Sequence, residues 1–399
     1  LIVPHSVTPT PLMPAIPARG DAVALTRTLV AIDSRNPSLV SDGPGERACA
    51  DALAQTLEHW GFRVELQETA AARPNVVARI GRPGGRTLLF NGHLDTVGVE
   101  GMIHAPWDAE VRNGRVYGRG SSDMKAGVAA MSAAALRVVD ARLDGEVIVA
   151  AVTDEEYGSI GTRTLVASGI RADAAIVTEP TRLAICPAHR GFAWLELVAH
   201  GHAAHGSRYD IGVDAITLAA AVLTELDAYQ RTVLAGRTHP LLGRASLHAS
   251  IVSGGLGLST YPDRCTIQLE RRTLPGETAA DFTREVEDAC ARVRARTPDF
   301  RADIILGFAQ EPNDIPATHA VVRALAKSLE RAGERAPIEG LPCWTDAALL
   351  TAAGIPAICF GPGDIGLAHS AEEYVDMDEI ERATGVLSEF ITEWFAGSN

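Results

Sequence analysis

Seven acidic and histidine residues in five separated stretches set out the chemistry open to this chain. They are His93 and Asp95 in NGHLDTV, Asp123 in GRGSSDMKAG, Glu155 and Glu156 in TDEEYGS, Glu179 in TEP, and His369 in GLAHS. Two imidazoles with several carboxylates and no thiolate suit one or two divalent cations of the zinc, cobalt or manganese kind. A cation pair would also offset the repulsion among the adjacent acids Asp154, Glu155 and Glu156. Taken singly, these residues have plainer readings: a lone histidine at a strand end bonds within its loop, a DEE run is solvated, and TEP is a turn. Asp154 itself is read as solvated loop. Those readings leave one thing unexplained, which is why all five stretches fall at strand exits or a helix entry.

The elements behind them are legible. Apolar runs at 87–90, 147–152, 174–177 and 356–360 predict buried strands. The first runs into His93 and Asp95, the second into Glu155 and Glu156, and the third into Glu179. The fourth is followed by His369, nine residues beyond Phe360. Asp123 lies just ahead of a helix expected over 125–139, with further helices at 45–59 and 159–168. Such alternation predicts an α/β layer with a mostly parallel central sheet, and ligands of open parallel sheets bind outside the carboxyl ends of the strands.

From about residue 189 the texture changes. FAWLELVAHG alternates with a period of two, 211–226 and 278–296 read as helices, and ASLHASIVSGG and RCTIQLERRT read as strands. The α/β pattern resumes after about 305. The expected organisation is a metal-binding catalytic domain at 21–188 and 305–399, interrupted by a small α+β module at 189–304.

Composition narrows the classes. With 399 residues, 46% of them apolar, the chain is too long for one compact core and predicts two domains. A net charge of −14 argues against a nucleic-acid partner. No apolar run reaches the roughly 18 residues a membrane helix needs. The six cysteines form no C-x-x-C pair, which fits reduced thiols and a cytoplasmic location. The proline-rich residues 1–20 show neither helical nor strand period, and are expected to be disordered or vector-derived, with Met13 a candidate start.

Together NGHLDTV, GRGSSDMKAG, TDEEYGSIGT, TEP, GHAAHGS, ERRTLPGE, FGPG and AHSAEEYV resemble the dinuclear zinc amidohydrolases and peptidases. That family includes acetylornithine deacetylase, succinyl-diaminopimelate desuccinylase, aminoacylase and glutamate carboxypeptidase. The resemblance runs from about Ala22 to the C-terminus in the family's order. It implies a zinc-peptidase-like catalytic domain with an inserted ferredoxin-like lid and dimerisation domain, two divalent ions, and a homodimer.

Carried over by residue, the resemblance has His93 and Glu179 hold one zinc, Glu156 and His369 the other, and Asp123 bridge them. Asp95 would fix the tautomer and orientation of His93. Glu155 would be the general base, the acid left free beside the one that binds metal. His205 of GHAAHGS would cross to a partner's active site and stabilise the oxyanion. Its neighbours His200 and His202 are expected at the surface. Arg272 of ERRTLPGE would bind the substrate carboxylate, and Arg271, if this is a strand, points the other way. Ser259, Thr345 and Gly361 of FGPG would line the substrate.

Two departures stand out. Glu270-Arg271-Arg272 replaces the family's Asp-x-Arg, and Ser259 stands where the family usually has a substrate-contacting Asn. The expected activity is hydrolysis of the amide of an N-acyl amino acid, with a dipeptidase or carboxypeptidase as the alternative. A dinuclear phosphoesterase would use similar ligands, but no extended phosphate cradle is evident and Glu155 would have no task. A non-catalytic relative would be expected to lack a ligand or the base, and none is missing.

Overall fold

The computed structural model describes residues 15–70, 72–335 and 337–396. It divides into two compact units. One runs through Ile185 and takes in Ala317–Pro337 and the chain from Leu349; the other comprises Cys186–Pro316 and Ile338–Ala348.

The first unit is built on a mixed sheet with strand order Arg63–Ala70, Arg73–Gly81, Gly145–Val152, Arg86–His93, Ala174–Val177 and Ala357–Cys359. The last four are parallel to one another, and the first two form an antiparallel edge. The parallel strands are apolar along their length because helices cover both faces, and every residue of Gly145–Val152 is buried. Their register aligns the exits: His93 pairs with Val152, Asn91 with Val177, and Val177 with Cys359. Side chains from the segments that follow therefore share one edge.

The helix Ala126–Ala135 is buried on all sides, which its small residues AGVAAMSAAA allow. It packs against Met377–Ala396 and Ala22–Val30. Gly127 is required at its start, since a Cβ there would stand 2.0 Å from the Thr178 carbonyl oxygen.

The second unit orders its antiparallel sheet Ser246–Gly254, Arg264–Thr273, Gly191–His200, Arg301–Gln310. Helices Ala215–Thr232 and Ala279–Arg296 pack on one face around Leu195, Leu197, Ile267, Leu269, Phe282 and Val286. Strand, helix, two strands, helix, strand in that order is the ferredoxin-like arrangement. Thr278 and Asp281 close a reciprocal capping box on the second helix. The helix expected over 211–226 instead starts at Ala215, because Asp214 caps it by accepting from the Ile216 and Thr217 amides.

Most of 1–20 lies outside the described residues. Within 15–20, Pro17 is buried and accepts the Trp60 indole N–H at 3.1 Å. All six cysteines are free. No helix among the described residues is long and apolar enough to cross a membrane.

Candidate metal centre

His93, Asp123 and Glu156 come together at the carboxyl edge of the first unit's sheet, with one donor atom from each within 4.8 Å of the others. The two oxygens of Asp123 face two imidazoles: Oδ1 lies 3.1 Å from His93 Nε2, and Oδ2 lies 3.6 Å from His369 Nε2. His369 Nε2 is also 3.0 Å from Glu156 Oε2. Ligands at about 2.0–2.2 Å from a tetrahedral cation stand roughly 3.4 Å apart, so these separations fit donors around shared cations. Glu179 is buried just past Ala174–Val177, at the same sheet edge.

The protonation pattern supports this. His93 Nδ1 sits 2.9 Å from the Asp95 backbone oxygen, which can only accept, so Nδ1 carries the proton and Nε2 faces Asp123. A bare lone pair against a carboxylate would repel it, so a proton or a cation must lie between. Burial pulls the His93 imidazole down, but the hydrogen bond and charge of Asp123, with Glu155 and Asp95 behind, leave it well above the ordinary histidine value. The hydrogen bond that His369 gives to Glu156, opposed by burial, raises the imidazole to about 9. Burial, then the charge of Asp123, raises Glu156. Two acids crowded out of water with imidazoles against them are a donor set that a divalent cation would satisfy.

Asp95 meets the His93 ring through its backbone and uses its carboxylate elsewhere. Its backbone carbonyl orients His93, while its carboxylate stands 3.7 Å from that ring. The carboxylate instead accepts the backbone N–H groups of Glu155 and Glu156 at 3.1 and 3.2 Å, and the Asn36 amide at 2.8 Å. Asp95 thereby ties the strand bearing His93 to the turn bearing both glutamates.

Asp154 is also not the solvated residue its DEE run suggested. It is buried with φ of +66°, a left-handed conformation that a non-glycine residue holds only under external constraint. The constraint is a polar network. Asp154 accepts from Asn36 at 3.1 Å and pairs with Arg73 at 3.0 Å, while Arg73 makes a fork to Glu46 at 2.6 and 2.8 Å. The Gly158 amide donates to its other oxygen at 3.1 Å. Because the turn closes inward on Asp154, Glu155 and Glu156 are carried round toward the sheet edge.

Sequence reasoning also missed Glu373, the second acid of AHSAEEYV. It is buried, accepts the backbone N–H groups of Ser122 and Asp123 at 3.0 and 3.1 Å, and pairs with Arg119 at 2.6 Å. Lys125 is buried too, donating to the Leu29 and Ile32 carbonyls at 3.0 and 2.9 Å. Both contacts tie the Asp123 segment to distant parts of the chain. Only the proximity of Arg119 and Lys125 to Asp123 in sequence hinted at this.

The residues expected to meet substrate fall in both units. Gly361 is buried, and a Cβ there would stand 2.4 Å from Thr178 O, so close backbone approach accounts for the glycine. In the second unit His205 forms a bridge with Thr260, next to Ser259, and its Nδ1 meets Ser207 Oγ at 2.8 Å. His202 is exposed, and half-exposed His200 contacts Asp303 at 2.8 Å. Thr345 is buried, its hydroxyl accepting the Ala347 amide. Arg271 turns inward to Glu277 and Glu285 at 2.6 and 3.2 Å, while Arg272 faces outward, paired with Glu270.

Comparison with known proteins agrees with this geometry. The model of peptidase family M20/M25/M40 matches residues 89–393. An acetylornithine deacetylase of Myxococcus xanthus is 31% identical over 363 residues, 87% of this chain and 92% of that protein. A Bacillus subtilis N-formyl-4-amino-5-aminomethyl-2-methylpyrimidine deformylase is 26% identical, across 94% of this chain and 95% of its own length. Among solved structures, a Staphylococcus aureus tripeptidase superposes with a TM-score of 0.78 at 19% identity, covering 96% of this chain and 100% of that one.

Proposed function

The chain is a member of peptidase family M20/M25/M40, metal-dependent hydrolases of amide bonds, and on that footing we propose that it cleaves N-acyl amino acids to a carboxylic acid and a free amino acid. The observation that carries the reading is the meeting of His93, Asp123, Glu156 and His369 at one sheet edge, with Glu155 beside them as a second acid. Deacylases among the relatives that match nearly the whole chain favour an acyl amino acid over a peptide.

In this assignment His93 and Glu179 would hold one divalent cation, Glu156 and His369 the other, and Asp123 would serve both, with zinc the first choice and cobalt or manganese alternatives. Bound there, such cations would polarise the scissile carbonyl and bring the pKa of a bound water to about 7. Glu155 takes the proton of the attacking water and delivers it to the leaving nitrogen. Its backbone N–H is held by the Asp95 carboxylate at 3.1 Å, which fixes the base relative to the strand bearing His93. Arg272 binds the substrate carboxylate. His205 of a second copy donates to the developing oxyanion, which makes the active form a homodimer. Six free cysteines suit a reducing, cytoplasmic setting.

The test is an amine-release panel of N-acetyl, N-formyl, N-succinyl and long-chain acyl amino acids beside several dipeptides. Turnover of acyl amino acids that a strong chelator abolishes and zinc or cobalt restores is expected. Faster cleavage of the dipeptides would replace the deacylase with an exopeptidase. Sedimentation of an active preparation as monomer alone would remove His205 from the mechanism.

A further inference from the structure

Asn36 stands in the SRNPS stretch beyond the helix Ala22–Val30, far in sequence from every candidate site residue. In the fold it is buried within the first unit, and both ends of its amide are in use. Nδ2 donates to Asp95 Oδ2 at 2.8 Å and to Asp154 Oδ1 at 3.1 Å. Oδ1 accepts from Arg73 Nη2 at 3.1 Å and from the Ser38 backbone N–H at 2.9 Å. The main chain around it is stitched to the strand exit that carries His93 and Asp95. Asn36 N–H donates to the Thr96 carbonyl at 2.8 Å, Thr96 N–H to the Ser34 carbonyl at 3.1 Å, and Ser34 Oγ to the Leu94 carbonyl at 2.7 Å.

Only a primary amide meets all four partners. Two carboxylates call for two donated protons, while a guanidinium and a backbone N–H call for an acceptor. A carboxylate side chain offers no proton, an ammonium no acceptor, and a hydroxyl a single proton. The neighbours therefore fix which end of the amide faces which way. What Asn36 joins is the support of the turn that bears both glutamates. Asp95 accepts the Glu155 and Glu156 N–H groups at 3.1 and 3.2 Å, and the Asp154 carbonyl accepts those of Tyr157 and Gly158 at 3.3 and 3.1 Å. One acid grips the front of the turn and the other closes its back, and the two N–H groups of Asn36 span them.

We propose that Asn36 is a positioning residue for the general base: by bridging Asp95 to Asp154 it sets the turn at the place where the Glu155 carboxylate meets the attacking water. This rests on Glu155 as the base of the proposed function. In that assignment Glu156 would be steered by the cation it holds as well as by the turn. Glu155 would carry no metal bond, so the set of the turn matters more to the base than to the ligand.

The experiment is a double-variant cycle on the full-length, metal-loaded protein. Asn36→Asp keeps the shape and the acceptor for Arg73 but turns a third carboxylate on Asp95 and Asp154. Its kcat on the best acyl amino acid of the substrate panel should fall by about 10²-fold, the scale of a misplacement of about 1 Å. KM should stay within about threefold of the parent, and elemental analysis should find the parent's metal content. Added to Glu155→Gln, the same change should cost less than about threefold more, because residues that act as one unit are not additive. Losses that multiply in full would make Asn36 a purely structural residue and overturn the proposal. Asn36→Ser, which keeps one proton to donate, should lose less than Asn36→Asp, and it carries the cycle if the Asp variant does not fold.

Hydrogen exchange supplies a readout free of turnover. The Glu155 and Glu156 amides should exchange about tenfold faster or more in Asn36→Asp, while amides within Gly145–Val152 keep the parent's protection. Unchanged exchange at 155 and 156, or equal acceleration throughout that strand, also overturns the proposal. A parent protein that cleaves no amide in the panel would sink the hydrolase reading, and exchange alone would then show whether Asn36 braces the turn.

Discussion

The sheet edge of the first unit and the outer sheet face of the second both concentrate charge, but they manage it in opposite ways. At the edge, four of the candidate residues are held by a further one: His93 by the Asp95 carbonyl, the Asp123 amide by Glu373, and the Glu155 and Glu156 amides by the Asp95 carboxylate. Those supports come from segments as far apart as Asn36 and Glu373. On the outer face, Arg190, Arg244 and Arg272 lie on neighbouring stretches, and two of the three have no acidic partner among the described residues. The first arrangement fixes geometry to within a fraction of a bond length, as a reaction requires. The second leaves guanidinium charge that its own acids do not balance.

Variants can break that contrast at either end, and the largest effects belong to the edge. His93→Ala or Asp123→Ala should abolish amide hydrolysis together with bound metal, measured by elemental analysis of the purified variants. Glu155→Gln should keep both metals and lose about 10²–10⁴-fold in kcat. Metal loss in that variant would exchange the roles of Glu155 and Glu156.

The supports come next. Arg73→Met leaves the Glu46 and Asp154 carboxylates buried without their cation, and breaking a buried pair in this way costs about 3–5 kcal/mol. Urea unfolding would measure it, and a loss below about 1 kcal/mol would show that the Arg73 network does not hold the turn at Asp154.

A pH effect of similar size arises in the second unit. His189 is buried against Trp344, with its Nε2 unpartnered, and burial pushes its imidazole down to about 4. The unfolded chain takes up this proton near pH 6.5, before the folded one does. The stability it contributes is therefore fully present above about pH 6.5 and is lost as pH falls through about 4, roughly 3 kcal/mol in all. His189→Met should flatten that part of the stability–pH curve. The smallest effect is expected at the exposed His200–Asp303 pair, where Asp303→Asn should shift stability by less than about 0.5 kcal/mol.

How much was legible depended on how each segment announces itself. The strands at 87–90, 147–152 and 174–177 were plain because a parallel strand covered on both faces must be apolar throughout. Arg63–Ala70 and Arg73–Gly81 drew no expectation, since the first is an edge strand with alternating exposure and the second opens on Arg-Pro. The amphipathic helix Met377–Ala396 was likewise passed over. Among site residues, the ligand types and their strand-exit positions could be read directly. Asp154 was misread because a DEE run looks solvated until a buried arginine, 81 positions earlier at Arg73, is folded beside it.

The order and type of residues by themselves determined the layer architecture, the inserted module and the acids and imidazoles offered at the strand exits, because burial pattern and donor chemistry are local properties of a sequence. Only the tertiary structure decided which carboxylates hold backbone amides, and which arginine finds an acidic partner and which does not. Hydrogen bonds reach only about 3 Å, and no spacing along a chain says which distant groups will stand that close.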